Sequence, residues 1–166
     1  MTNVLQHASD VYPMSDIQLG MVFHSLKHPE KGMYHDQFVY QLEDPLFNTE
    51  LWRQAMSLMV EKHELLRTSF HMEEFSTPVQ VVHGQIPIYI DEIDSSSFIG
   101  DLKKGISRLL DEDRMVPFNL CEAPLWRMKV LRVDERHEAI IWIFHHAILD
   151  GWSVASFMTE LVNVYF

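Results

Sequence analysis

The residues best equipped for chemistry are the neighbours His145 and His146, followed by Asp150 and Gly151, in the stretch His145-His146-Ala147-Ile148-Leu149-Asp150-Gly151-Trp152-Ser153. An imidazole accepts or releases a proton near neutral pH, which suits it to general acid–base work. The apolar run Ala139-Ile140-Ile141-Trp142-Ile143-Phe144 before it reads as a buried strand, and the segment from Ser153 onward as a helix. A strand therefore delivers an imidazole to a tight turn that the Asp-Gly pair shapes. Burying a titratable ring there costs desolvation, which points to a site and not to a packing accident. Adjacent strand residues face opposite sides, so only one of the two rings can enter the same site. The same geometry opposes metal binding by the pair. Zinc needs three or four convergent ligands, the HExxH pattern is absent and the histidines are scattered, so no metal is expected.

This nonamer resembles the HHxxxDG motif of the condensation domains of nonribosomal peptide synthetases, which belong to the chloramphenicol-acetyltransferase-like acyltransferases. Lys62-His63-Glu64-Leu65-Leu66-Arg67-Thr68-Ser69-Phe70 is similar to the family's RHExLRTxF segment. The stretch from Tyr12 to His24 resembles its first motif, with Gly20 where many members carry Arg. The three motifs occur in the family's order.

The resemblance implies that His146 faces the substrate tunnel as a catalytic residue and that His145 supports the turn. It also implies that Asp150 points away from the reacting centre and pairs with Arg67, both holding the loop. Gly151 is a second candidate catalytic residue. Glycine permits the turn, and an N–H near a helix start can donate to a developing oxyanion. Trp152 is expected to anchor the core and Ser153 to cap the last helix. Phe23-His24 and Tyr34-His35-Asp36-Gln37 carry modest weight, because the matching first-motif region of the family lies close to the tunnel.

The activity implied is amide formation between a carrier-bound acyl or peptidyl thioester and the amine of a carrier-bound aminoacyl group. Both substrates would ride on phosphopantetheine arms of the carriers, so the lobe needs no cofactor of its own. The implied partners are donor and acceptor peptidyl carrier proteins, the second lobe of the domain and an adenylation domain. Two other readings share His146 or the fold: an acyl-CoA-dependent acyltransferase, and a non-catalytic lobe that docks carrier proteins.

Composition narrows the class. The chain has 166 residues, 47% hydrophobic and 22% charged, which suits one globular domain with a substantial core. A formal net charge of −11 leaves no basic stripe for nucleic acid. No apolar run reaches the length of a membrane span and no signal peptide opens the chain, so a reducing, cytoplasmic setting is expected. The single Cys121 excludes an intrachain disulfide and reads as a small packed residue.

Helices are predicted from Ser15 to about Lys27 on an Ile17/Met21/Leu26 face, from Asn48 to His63 on a Leu51/Ala55/Leu58/Met59 face, from Ile99 to Asp113, and from Ser153 to Phe166. Strands are predicted over Tyr34–Leu42, Thr68–Glu73, Val79–Val82, Ile86–Ile90, Leu125–Val133 and Glu138–Phe144. The acidic runs around Asp91 and Asp113 read as solvated edges. The fold class is α/β, a two-layer sandwich of a mixed sheet with packed helices, one lobe of a chloramphenicol-acetyltransferase-like fold. The chain stops inside an amphipathic helix at Phe166 with no cap, so residues 1–166 are read as the N-terminal lobe of a larger domain. An apolar face left open there predicts self-association or binding of the second lobe.

Overall fold

A computed structural model describes residues 6–95, 98 and 101–166. In chain order its elements are β1 (Ala8–Pro13), α1 (Asp16–Lys27), β2 (His35–Glu43), α2 (Thr49–Lys62), β3 (Thr68–His71), β4 (Val79–His83), β5 (Ile90–Ile93), α3 (Leu102–Arg114), β6 (Trp126–Arg132), β7 (His137–His145) and α4 (Gly151–Tyr165). The strands form two sheets, ordered β1-β4-β3 and β2-β7-β6-β5. The first is antiparallel throughout. The second is mixed, because β5 runs parallel to β6 across the α3 connection.

Strand β7 is the centre of the larger sheet. Its apolar run cannot choose a wet face, and residues 139 to 144 are all buried. On one face Trp142 stacks on Trp126 and meets Phe157 of α4 at a ring separation of 4.5 Å. Trp52 of α2 joins them and donates its indole N–H to Met128 Sδ. Val154, Phe157, Met158 and Leu161 bury α4 here, each worth about 1.5–3 kcal/mol relative to exposure. On the other face lies α3: Gln37 donates to the Leu110 carbonyl, and the His35 ring contacts Asp113. The large sheet is thus covered by helices on both sides.

Local capping fixes the helix starts. Ser15 and Gln18 form a reciprocal capping box on α1, Asn48 accepts from the Glu50 and Leu51 N–H groups, and Asp101 accepts from Lys104. The α3 boundary expected at Ile99 lies outside the described residues.

Several expectations are corrected. β1 carries polar residues on an exposed edge and gave no strand signal, yet pairs with β4. The strand expected over Ile86–Ile90 forms at Ile90–Ile93, because Pro87 has no N–H for a ladder. The α1 face is not the one expected, since Val22 is buried while Ile17 and Leu26 are exposed. In α2 the buried stripe runs through Trp52, Ala55, Met56, Met59 and Val60, leaving Leu51 and Leu58 outside. Trp152 is 87% exposed and anchors no core, and Cys121 is exposed as well. Asp113 is no solvated edge but a buried carboxylate facing His35, Arg127 and Lys129.

Candidate active site

The motif begins where β7 ends. Ala147, Ile148 and Leu149 are buried and plug the turn into the core, which fixes the residues on either side of them. The Ile148 N–H closes the turn on the His145 carbonyl at 3.1 Å. The chain then enters α4 at Gly151.

The structure sends the two histidines to opposite sides. His145 is 2% exposed. Its Nδ1 accepts the Ala147 N–H at 3.2 Å, so its Nε2–H is the group that meets Ser25 Oγ of α1 at 2.9 Å. Burial holds this imidazole down at about 4, and the charges of His35 and His146 add to the effect. Behind it lies a cavity of about 240 Å³ that His35, Phe118 and Ser25 also line. Asp113 meets the His35 ring at 3.2 Å. Burial alone would push its carboxyl up, but the His35 hydrogen bond and the charges of Arg127 and Lys129 outweigh it and hold the group below the usual range.

His146 stands on the α4 side with its side chain 38% exposed. Its N–H donates to the Tyr34 carbonyl at 2.8 Å, and its Nδ1 lies 2.6 Å from the Asp36 carboxylate of β2. Gly151 is exposed, and nothing lies within 4 Å of where a Cβ would sit. Its N–H has no acceptor among the described residues and belongs to the first turn of a 15-residue helix. A groove of about 540 Å³ starts at Gly151 and runs between α4 and the edge strand β2, with Phe38, Tyr40, Val154 and Met158 in its wall.

Three expectations on the motif change here. The cap of α4 is Asp150, not Ser153: its carboxylate accepts the Ser153 N–H at 2.8 Å, and the backbone N–H bonds hold its pKa down. Gly151 needs no left-handed angle. The only glycine with positive φ among the described residues is Gly32, whose φ is 54° and whose Cβ would meet the Arg114 carbonyl at 2.9 Å. Asp150 and Arg67 do not meet. Asp150 is drawn to the helix start, whereas Arg67 donates to the His83 carbonyl at 2.7 Å and Ser9 Oγ at 3.0 Å, tying β4 to β1.

This geometry accompanies a clear kinship. Residues 8–166 match the condensation domain family. The chain belongs to that family. It is 36% identical over 157 residues to a linear gramicidin synthase of Brevibacillus parabrevis, spanning 94% of this chain and 2% of the relative. It is 30% identical over 164 residues to a mycosubtilin synthase of Bacillus subtilis, spanning 98% of this chain and 6% of that one. The chain thus spans a small part of the curated relatives it matches. Its fold is shared with the first condensation domain of the calcium-dependent antibiotic synthetase, solved with a substrate analogue, at a TM-score of 0.84, 20% identity and coverage of 95% of this chain and 39% of that chain. A four-domain nonribosomal peptide synthetase bound to AMP and glycine matches at a TM-score of 0.83, 19% identity and coverage of 95% and 12%. The fold is therefore the chloramphenicol-acetyltransferase-like one.

In this condensation domain chain, sequence reasoning gave Asp36 only modest weight. The signal was there, an acidic residue in a strand with the right alternation, but its partner lies 110 positions away. Among the described residues no group of three or more His, Cys, Asp or Glu is placed to hold a metal ion, and no helix is long and apolar enough to cross a membrane.

Proposed function

We propose that this chain is the N-terminal lobe of a condensation domain, and that in the intact protein it forms an amide bond between two carrier-bound substrates. The amine of an acceptor aminoacyl group attacks the thioester carbonyl of a donor acyl or peptidyl group. The C–N bond forms, the C–S bond breaks, and the amine proton ends on the departing thiol. Both substrates arrive on phosphopantetheine arms of carrier proteins, with the second lobe closing the tunnel and an adenylation domain loading the acceptor. The lobe supplies no cofactor.

His146 is the residue that meets the reacting amine, holding it in line and relaying its proton. The Gly151 N–H at the start of α4 donates to the carbonyl oxygen as it becomes an oxyanion. The observation that carries this reading is the pairing of a solvent-accessible imidazole with an acceptor-free helix N–H across the same turn, beside open space. His145, Asp150 and Arg67 act on the scaffold: His145 locks the turn to α1, Asp150 starts α4, and Arg67 holds the small sheet.

The test is amide formation by the intact synthetase module with loaded donor and acceptor carriers. His146→Ala is expected to lower product formation by about 10²–10⁴-fold while the domain keeps its melting temperature. Product formed at the wild-type rate by His146→Ala overturns the reading.

A further inference from the structure

We propose that Asp36 is a positioning residue for His146: its carboxylate takes the Nδ1–H of the ring and thereby leaves Nε2 as the basic nitrogen. The inference rests on the proposed role of His146 and adds which nitrogen works and what selects it.

An ionised carboxylate can only accept hydrogen bonds, so a contact of 2.6 Å to Nδ1 places the ring proton on Nδ1. The neutral ring then has its lone pair on Nε2, which has no protein partner among the described residues. His145, one residue away, is held in the opposite tautomer, because its Nδ1 accepts the Ala147 N–H. Two adjacent imidazoles are thus given opposite proton positions by two different contacts.

The fold builds the contact from long range. β2 pairs antiparallel with β7 in a register that sets His35 against His145 and Asp36 against Phe144. Asp36 and His146 therefore project from the same face as diagonal neighbours. The Tyr34 carbonyl, which takes the His146 N–H, sits on a backbone with φ of 58°, a left-handed angle that a bulky residue adopts only at a cost. This costly turn holds the start of β2 against the motif.

An exposed ion pair is ordinarily worth little, and both side chains here are about one-third exposed. This one differs because both backbones are clamped, one in the ladder and one on Tyr34. The motif's own carboxylate is committed elsewhere, since Asp150 caps α4. During the reaction the amine proton passes to Nε2 as the C–N bond forms, and from Nε2 to the thiolate sulfur as the C–S bond breaks. Asp36 keeps its charge and Nδ1 its proton throughout, with the carboxylate stabilising the transient imidazolium.

The experiment uses the intact condensation domain with 15N-labelled histidine, at a pH alkaline enough for neutral rings, with His146→Ala to assign the signals. The wild type is expected to show a protonated Nδ1 and a bare Nε2 at His146. Asp36→Asn, whose carboxamide can donate to Nδ1, is expected to move the proton to Nε2. In the carrier assay it should lower kcat by about 10²–10⁴-fold with KM for the loaded acceptor within about twofold, and Asp36→Glu should recover part of the loss. A wild-type His146 protonated on Nε2, or Asp36→Asn with wild-type kcat beside an inactive His146→Ala, overturns the proposal alone. An active His146→Ala overturns the reading beneath it. Where Asp36→Asn does not fold, the wild-type tautomer decides.

Discussion

On the inner side of the end of β7, His145 is enclosed by Ser25, Phe118 and the cavity they share, and both of its ring nitrogens are engaged. On the outer side, one residue later, the His146 ring has a single hydrogen-bond partner among the described residues and a face to solvent. Residue type is the same and backbone position nearly so; only the strand's two-residue alternation separates them. The inner ring is held neutral and serves cohesion. The outer ring keeps a nitrogen free, which chemistry requires and cohesion does not.

The sharpest way to break this contrast is to remove each ring in turn. His146→Ala should lose about 10²–10⁴-fold in amide formation by the intact module while costing little stability. His145→Ala should cost roughly 3 kcal/mol, because it opens a hole, strands the Ala147 N–H and takes from Ser25 Oγ the ring N–H it accepts. Urea melts and carrier assays on the same proteins check both. A stable His145→Ala domain with His146-like activity loss would erase the distinction.

Protonation separates the two sides next. A His145 held near 4 against the ordinary 6.5 favours the neutral form in the folded state, so its contribution is complete above about 6.5 and is lost as pH falls toward 4, by roughly 3 kcal/mol at most. Asp113, held below its ordinary 3.8, keeps its contribution down to that pH and loses it only under more acidic conditions. Stability measured from pH 7 to pH 4 should therefore fall in wild type and fall less steeply in His145→Gln, where His83, also held down by burial, still contributes. An unchanged slope in the variant would show that another group carries the loss.

On the open side, Gly151→Ala adds a methyl group to empty space and removes the most flexible residue from a helix start, so stability should change by less than about 1 kcal/mol. Amide formation should nonetheless fall about tenfold if substrate comes close to this N–H. Loss of both together would assign the glycine to folding instead. The smallest effect is expected from Ala155→Trp, an exposed position on the groove wall. It should slow bulky apolar substrates more than small ones by a few-fold, read as a ratio of kcat/KM values.

The strand–turn–helix around the motif was legible in the sequence because every signal for it is local: an apolar run, a turn pair and an amphipathic helix. The opposite facing of the two rings follows from the same local rule. What escaped was whatever depends on pairing across the chain. β1 has no apolar alternation and exists because β4 offers it a ladder. Asp113 reads as one of three consecutive acids until α3 lays it against His35 and Arg127. Asp36 acquires its partner only through the β2–β7 register, and Arg67 lies on the small sheet, away from the motif it was expected to brace.

The capping box of α1 has a further consequence for how this protein can change. Gln18 accepts from the Ser15 N–H with its carbonyl oxygen, while its amide nitrogen reaches both Gln80 and the Ala147 carbonyl within the motif turn, each at 3.3 Å. One side chain therefore closes a helix, touches the small sheet and holds the loop after His146. Replacing it cannot loosen one of these alone. Substitutions at Ser15, Gln80 and the motif turn should be epistatic through position 18, so that drift in the first helix is constrained by the loop more than a hundred residues away.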